Sequence, residues 1–201
     1  MFTPSLPPSL CLLKEIQSLE LAGCVFEDIS VVAEMKSLKT FSLERSDIKK
    51  LPQEIGQLTN LRMLNLANCC RLRFIPANLI SKLTCLEELY MGNFFIQWNV
   101  KGRKDQCNNA SLDELRNLSR LTTLDIMIQD VSVLPRHFEV FKKLKRYNIF
   151  VGDMWKWSLE WSGGASESSR ILKLAGTRSS KILLDRGFKF LLNSVENMCL
   201  F

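Results

Sequence analysis

The sequence is poor in the residues that build metal and catalytic sites. Its 201 residues hold one histidine, His137, and no Cys-x-x-Cys pair, so no zinc site and no other metal is expected. The seven cysteines are odd in number and irregularly spaced, which suits reduced thiols in a cytosolic chain better than a disulfide framework. None of the nine glycines belongs to a Gly-x-x-x-x-Gly-Lys-Ser/Thr loop, so no nucleotide cofactor is expected. No run of eighteen apolar residues occurs, which excludes an ordinary membrane-spanning helix. Prolines at Pro4, Pro7 and Pro8 interrupt the place where a secretory signal would need its apolar stretch. The Asn109-Ala110-Ser111 and Asn117-Leu118-Ser119 triplets are therefore not read as glycosylation sites. Charge is mixed: 27 basic against 21 acidic residues give +6, with no block of like charges to mark a nucleic-acid tail. His137 follows a Leu-Pro turn with no triad around it, and Asp113-Glu114 reads as an exposed, solubilising pair on a helix. No catalytic residue is assigned, and the chain is not expected to be an enzyme.

What is abundant is leucine, and it is periodic. The pattern apolar-x-x-apolar-x-apolar occurs at Ile16-Leu19-Leu21, Leu38-Phe41-Leu43, Leu61-Leu64-Leu66, Leu86-Leu89-Met91, Leu121-Leu124-Ile126 and Leu144-Tyr147-Ile149. One match means little, since three fixed positions agree by chance about one time in ten at this composition. The steps between them decide the matter: 22, 23, 25, 35 and 23 residues, the length of a leucine-rich repeat with one insertion. A second pattern runs in phase. Leu6-Pro7, Leu10, Leu13, Ile16 shares its offsets with Leu51-Pro52, Ile55, Leu58, Leu61 and with Leu134-Pro135, Phe138, Phe141, Leu144; Ile75-Pro76, Leu79, Leu83, Leu86 differs by one residue. Proline fixes φ and donates no hydrogen bond, so it suits the turn that starts the convex side. The apolar residues after it line one face of a short helix or 3₁₀ segment.

These patterns predict an α/β leucine-rich-repeat solenoid, a horseshoe of about seven repeats with short parallel concave strands and convex helical or 3₁₀ segments. Residues 1–201 are read as a single domain fragment, with regular repeats over 6–149, an insertion loop over 97–110 and irregular repeats over 150–201. The polar insertion is expected to be a surface loop, followed by a convex helix with Leu112, Leu115 and Leu118 inward. Trp155, Trp157 and Trp161 precede a Ser162–Ser166 stretch and are read as packing of an irregular segment. Leu172 and Leu174 predict a seventh strand behind a poorly fitting Ser169, and Val195-Met198-Leu200 an eighth. Both ends break inside a repeat and show no polar cap, so the chain is expected to be truncated at both ends of a longer protein. Cys24, Ser46, Cys69 and Thr177 share one position after the strand, where a small polar side chain can answer backbone groups trapped at the inner turn. Gln129 and Gly152 fit that position poorly, and Phe94 does not fit.

Ser46 to Met91, with its Asn68-Cys69-Cys70 and Leu86-Glu87-Glu88-Leu89-Tyr90-Met91 runs, resembles plant intracellular nucleotide-binding, leucine-rich-repeat (NLR) disease-resistance proteins of the coiled-coil class. Leu118 to Pro135 and Arg146 to Trp157 are similar to the same family, and the resemblance covers roughly residues 5 to 175. It implies a cytoplasmic segment that detects a pathogen effector, directly or through a guarded host protein, and holds the parent receptor's nucleotide-binding domain closed. A general cytosolic leucine-rich-repeat scaffold regulating a signalling enzyme is the alternative.

In such a horseshoe, side chains alternating with the inward leucines face the concave surface. One column reads Glu20, Ser42, Asn65, Tyr90, Asp125, Asn148, a second Ser18, Thr40, Met63, Glu88, Thr123, Arg146, and a third Gln17, Lys39, Arg62, Glu87, Thr122, Lys145. The candidate partner-binding face is taken as Lys39, Ser42, Arg62, Asn65, Glu87, Tyr90, Thr122, Asp125, Lys145, Arg146 and Asn148, with Arg62, Tyr90 and Arg146 foremost because arginine and aromatic side chains dominate interface energetics. Nucleic-acid binding through Lys39, Arg62, Lys145 and Arg170 is a weaker reading that demands steep salt dependence; no nucleic acid is expected as partner.

Overall fold

The computed structural model describes residues 6–92, 95, 97–99, 108–135, 138–152, 170–175 and 186–200. Among these residues eight strands lie side by side in chain order: β1 Ser18–Glu20, β2 Thr40–Ser42, β3 Met63–Asn65, β4 Glu88–Tyr90, β5 Thr123–Ile128, β6 Arg146–Val151, β7 Arg170–Leu174 and β8 Asn197–Leu200. Every neighbouring pair is parallel. Parallel strands need a crossover, and here each crossover is the convex half of a repeat. The expected seventh and eighth strands are both present, at the positions their leucines indicated.

The strands are short because the apolar ladder is short. Leu19, Phe41, Leu64, Leu89, Leu124 and Tyr147 stack as successive partners across six strands. Phe41, Leu89 and Leu124 are completely buried. Each such side chain contributes about 1.5–3 kcal/mol when removed from water, but only because a neighbouring repeat covers it. In the two outermost strands the burial is less complete: Leu19 is partly buried, while Met198 and Leu200 are exposed.

The convex side is built from 3₁₀ turns at Pro8–Leu12, Ser30–Glu34, Gln53–Gln57, Ile80–Lys82, Leu112–Asn117, Val131–Val133 and Glu139–Lys143. The Leu-Pro rule holds physically at Pro52, whose φ of −63° and ψ of 144° place it in extended backbone just before the turn. Ser30–Glu34 lacks a proline; there the Asp28 carboxylate accepts the Ser30 N–H at 2.8 Å instead. Among the described residues one α-helical turn, α1 (Lys189–Leu192), precedes β8 in the chain.

The inner turns share a left-handed residue at Gly23, Arg45 and Asn68, with φ of 67°, 58° and 62°. The small polar residue that follows then joins one repeat to the one before it. Ser46 Oγ accepts the Cys24 N–H at 3.3 Å and donates to the Leu21 carbonyl at 2.6 Å. Cys69 Sγ–H donates to the Leu43 carbonyl at 3.0 Å. Burial pushes the Cys69 thiol up to about 11, so it serves as a hydrogen-bond donor and not as a nucleophile. Thr177, Phe94 and Ser169, and with them the Trp155, Trp157, Trp161 and Ser162–Ser166 readings, lie outside the described residues, as does His137.

Two expectations are corrected. The insertion is not simply a surface loop, because its described flanks are built into the core. Trp98 is 5% exposed, stacks edge-on against Phe95 at 5.0 Å and donates its indole N–H to the Met127 carbonyl at 3.1 Å. At the far end Asn109 is buried; its side chain accepts the Ile75 N–H at 2.7 Å and donates to the Arg73 carbonyl at 3.0 Å. The polar composition of the segment concealed these anchors. Glu114, read as exposed, is buried, and forms a capping box with Ser111. Its carboxylate also accepts the N–H groups of Asn78 at 2.9 Å and Ser81 at 3.3 Å, so it sutures two repeats. Asp113 pairs with Arg116 at 2.7 Å.

Candidate binding face of the concave sheet

Strand register turns the three sequence columns into three real rows. Ser18, Thr40, Met63, Glu88, Thr123 and Arg146 are successive partners, as are Glu20, Ser42, Asn65, Tyr90, Asp125 and Asn148. Gln17, Lys39, Arg62, Glu87, Thr122 and Lys145 immediately precede the first row, and their carbonyls and N–H groups bond from repeat to repeat. All eleven candidate residues therefore lie on one surface. They differ in availability: Arg62 and Lys145 are exposed, Lys39, Asn65, Glu87, Thr122 and Arg146 partly so, and Ser42 is buried.

The face is largely self-paired. Arg146 reaches along its row past β5, with Nε donating to Thr123 Oγ1 at 3.1 Å and Nη2 meeting Glu88 Oε1 at 3.0 Å. The other Glu88 oxygen accepts the Tyr90 hydroxyl at 2.6 Å. Desolvation, then the Glu88 carboxylate, push the Tyr90 phenol up to about 12, which keeps it a donor. Nearer β1, Lys39 Nζ donates to Gln17 Oε1 at 2.9 Å and Asn65 Nδ2 to Glu44 Oε2 at 3.3 Å, while Arg62 approaches Glu87 at 3.9 Å.

Asp125 is the exception. It is half-buried as a residue, but its Oδ1 is shut off from solvent and has no hydrogen-bond partner; the same is true of Asn148 Oδ1 on the adjacent strand. Burial raises the Asp125 carboxyl to about 7, opposed by a hydrogen bond from Asn148 and the charge of Lys173. Gly92 makes room for it. A Cβ at that position would stand 2.5 Å from Asp125 Oδ1.

The match to known proteins follows this geometry. Residues 8–178 match the family model described as a leucine-rich repeat region. The chain belongs to that leucine-rich repeat family. A disease resistance protein of Arabidopsis thaliana is 29% identical over 149 residues, covering 72% of this chain. This bears out the resemblance to the leucine-rich-repeat region of a plant resistance protein. The chain spans only 15% of the length of that relative. Among solved structures, a TDR receptor aligns over 98% of this chain and 32% of its own, at 21% identity and a TM-score of 0.51, which supports the fold. An internalin of Listeria monocytogenes aligns over 96% of this chain and 50% of its own, at 16% identity and a TM-score of 0.49.

Leucine-rich repeat domains are protein-interaction scaffolds, and the described residues contain no cluster of three or more His, Cys, Asp or Glu able to hold a metal. No described helix is long and apolar enough to cross a membrane. Sequence reasoning left Glu88, Gly92 and Lys173 off the candidate face. Glu88 carried a usable signal, since it shares a row with Arg146 and has the opposite charge. Gly92 and Lys173 carried none, because their roles depend on the position of the Asp125 carboxyl.

Proposed function

We propose that the concave sheet is the recognition face of a coiled-coil-class NLR immune receptor of the plant cytoplasm. On this reading it takes a pathogen effector or a guarded host protein, and in the resting receptor it contacts the nucleotide-binding domain and keeps it closed. The observation that carries the reading is the cluster of Arg146, Glu88 and Tyr90 on the sheet, with Arg62 beside Glu87 in the neighbouring row, in a chain similar to a disease resistance protein. Arginines and a partly desolvated tyrosine are the side chains that anchor protein interfaces.

The test uses the full-length receptor expressed in leaf tissue. Reversing charge at Arg62 and Arg146 (R62E/R146E) is expected to weaken co-purification with the separately tagged nucleotide-binding domain and to cause effector-independent cell death. Unchanged co-purification together with a normal resting state would place the autoinhibitory contact elsewhere and sink the proposal.

A further inference from the structure

A second surface lies on the flank of the solenoid, where the chain leaves the inner turns and heads for the convex side. Three successive repeats contribute to a groove there with a cavity volume of about 620 Å³. This is within the range of about 300–1,000 Å³ typical of ligand sites. Its floor is apolar, formed by Phe26 and Phe74 with Val25, which is 45% exposed. The floor is held by backbone bonds between repeats: Asp47 N–H to the Cys24 carbonyl at 2.7 Å, and Phe74 N–H to the Lys49 carbonyl at 3.3 Å. Parallel bridges Val25–Asp47 and Lys50–Phe74 add to that frame. The groove is thus preformed, and little backbone must be ordered when something binds.

The rim is electrically lopsided. Asp47 is engaged by Arg71 at 2.9 Å, which neutralises that side. Lys49 and Lys50 are exposed and make no ion pair among the described residues, against a single opposing carboxylate, Glu27. A partly exposed apolar floor beside two ammonium groups that face one carboxylate selects for an occupant with an apolar side chain flanked by negative charge.

We propose that this groove is an interaction surface separate from the concave face, and that it takes an acidic polypeptide segment anchored by one aromatic side chain. The segment lies along the flank, its ring on Phe26, Val25 and Phe74 and its carboxylates on Lys49 and Lys50. A nucleic acid fits the rim less well, since Glu27 and the Asp47–Arg71 pair interrupt the positive edge and the floor offers only a narrow apolar seat.

The probe is a fluorescent Asp-Glu-Phe-Glu-Asp peptide followed by anisotropy, with a Phe-to-Ala analogue, a Lys-Lys-Phe-Lys-Lys analogue and a single-stranded oligonucleotide as competitors. The expected result is saturable binding of the acidic phenylalanine peptide only, weakening as salt rises. K49E/K50E lowers its affinity by about tenfold or more, through loss of two charge-assisted contacts, and gains binding of the lysine peptide. V25D lowers affinity with the near-ultraviolet dichroism unchanged, because Val25 is at the surface. The proposal is overturned by no saturable binding, by equal binding of acidic and basic peptides, or by unchanged affinity in K49E/K50E. Loss of binding in R146A but not in K49E/K50E moves the peptide to the concave face and also overturns it. Preferential binding of the oligonucleotide, lost in K49E/K50E, identifies a nucleic-acid surface instead.

Discussion

Replacing Asp125 with asparagine changes one oxygen for one amide nitrogen, and its effect on stability must depend on pH. The Asp125 carboxyl is raised from 3.8 to about 7, first by burial, with Asn148 and Lys173 opposing. A carboxyl raised on folding holds its proton more tightly in the native state than in the unfolded chain. Its contribution is therefore fully present below about pH 4 and is lost as pH rises through 7. Three units at about 1.4 kcal/mol each set an upper limit of about 4 kcal/mol, of which about 2.5 kcal/mol is lost between pH 5 and pH 8. Protonation also gives the site a donor. Both Asp125 Oδ1 and Asn148 Oδ1, on adjacent strands, are shut off from solvent without a hydrogen-bond partner. The assay is urea unfolding at pH 5 and pH 8. The native protein should lose stability over that interval relative to Asp125→Asn, which carries no titrating group there. Identical pH slopes for the two proteins, or an Asp125 carboxyl carbon titrating near pH 4 by NMR, would refute the reasoning.

Gly92→Ala should destabilise by about 1–3 kcal/mol by overpacking, since its Cβ would stand 2.5 Å from the Asp125 carboxylate; most of that loss should vanish in an Asp125→Ala background, and a purely additive double mutant would contradict the contact. Glu114→Ala leaves the N–H groups of Ser111, Asn78 and Ser81 without their acceptor, so urea unfolding should show a loss of about 3 kcal/mol, with Glu114→Gln intermediate. With Cys69 at about 11, its thiolate is about one part in a thousand at pH 8, so iodoacetamide followed by peptide mass spectrometry should find exposed Cys70 alkylated well before Cys69. Labelling of both at one rate would mean that the inner turn opens.

The frame was legible because it is repeated. Apolar residues at the first, fourth and sixth positions of six phased segments leave one register, and Leu-Pro dipeptides in phase with it locate the convex turns. Even the irregular tail could be placed, since Leu172 and Met198 pair where the pattern put them. Illegible were features that occur once. The Trp98 indole and the Asn109 amide anchor an insertion that has no counterpart in other repeats, so no periodicity reports them. Glu114 shows the same limit: Ser111-x-x-Glu114 is a capping-box signature on its own, but its bonds to Asn78 and Ser81 belong to the preceding repeat. Which residues share the concave face followed from strand alternation. Which of them are already engaged with one another did not, since side-chain pairing spans strands 22 to 58 residues apart, as for Lys39 with Gln17 and Arg146 with Glu88.

That mutual engagement governs how the concave face would recognise a partner. An arginine free in solvent must be desolvated and immobilised when it binds, and its rotamer entropy is lost at that moment. Arg146 has already been fixed by Thr123 and Glu88, with its side chain 36% exposed, so much of that ordering precedes binding. The same pairing removes its long-range attraction, because Glu88 neutralises it at 3.0 Å. Partners are then distinguished by shape and by hydrogen-bond geometry at short range more than by electrostatic steering. Arg62 is the opposite case: its approach to Glu87 is loose, at 3.9 Å, and both side chains are more than a third exposed. A surface pair of that kind contributes little to stability. On the proposed reading, Arg62 is the arginine that can leave its carboxylate and pair with a partner at little cost, and Arg146 with Tyr90 is the pre-ordered part of the face. Charge reversal at Arg62 should act mainly on association rate and salt dependence, and truncation of Arg146 mainly on dissociation.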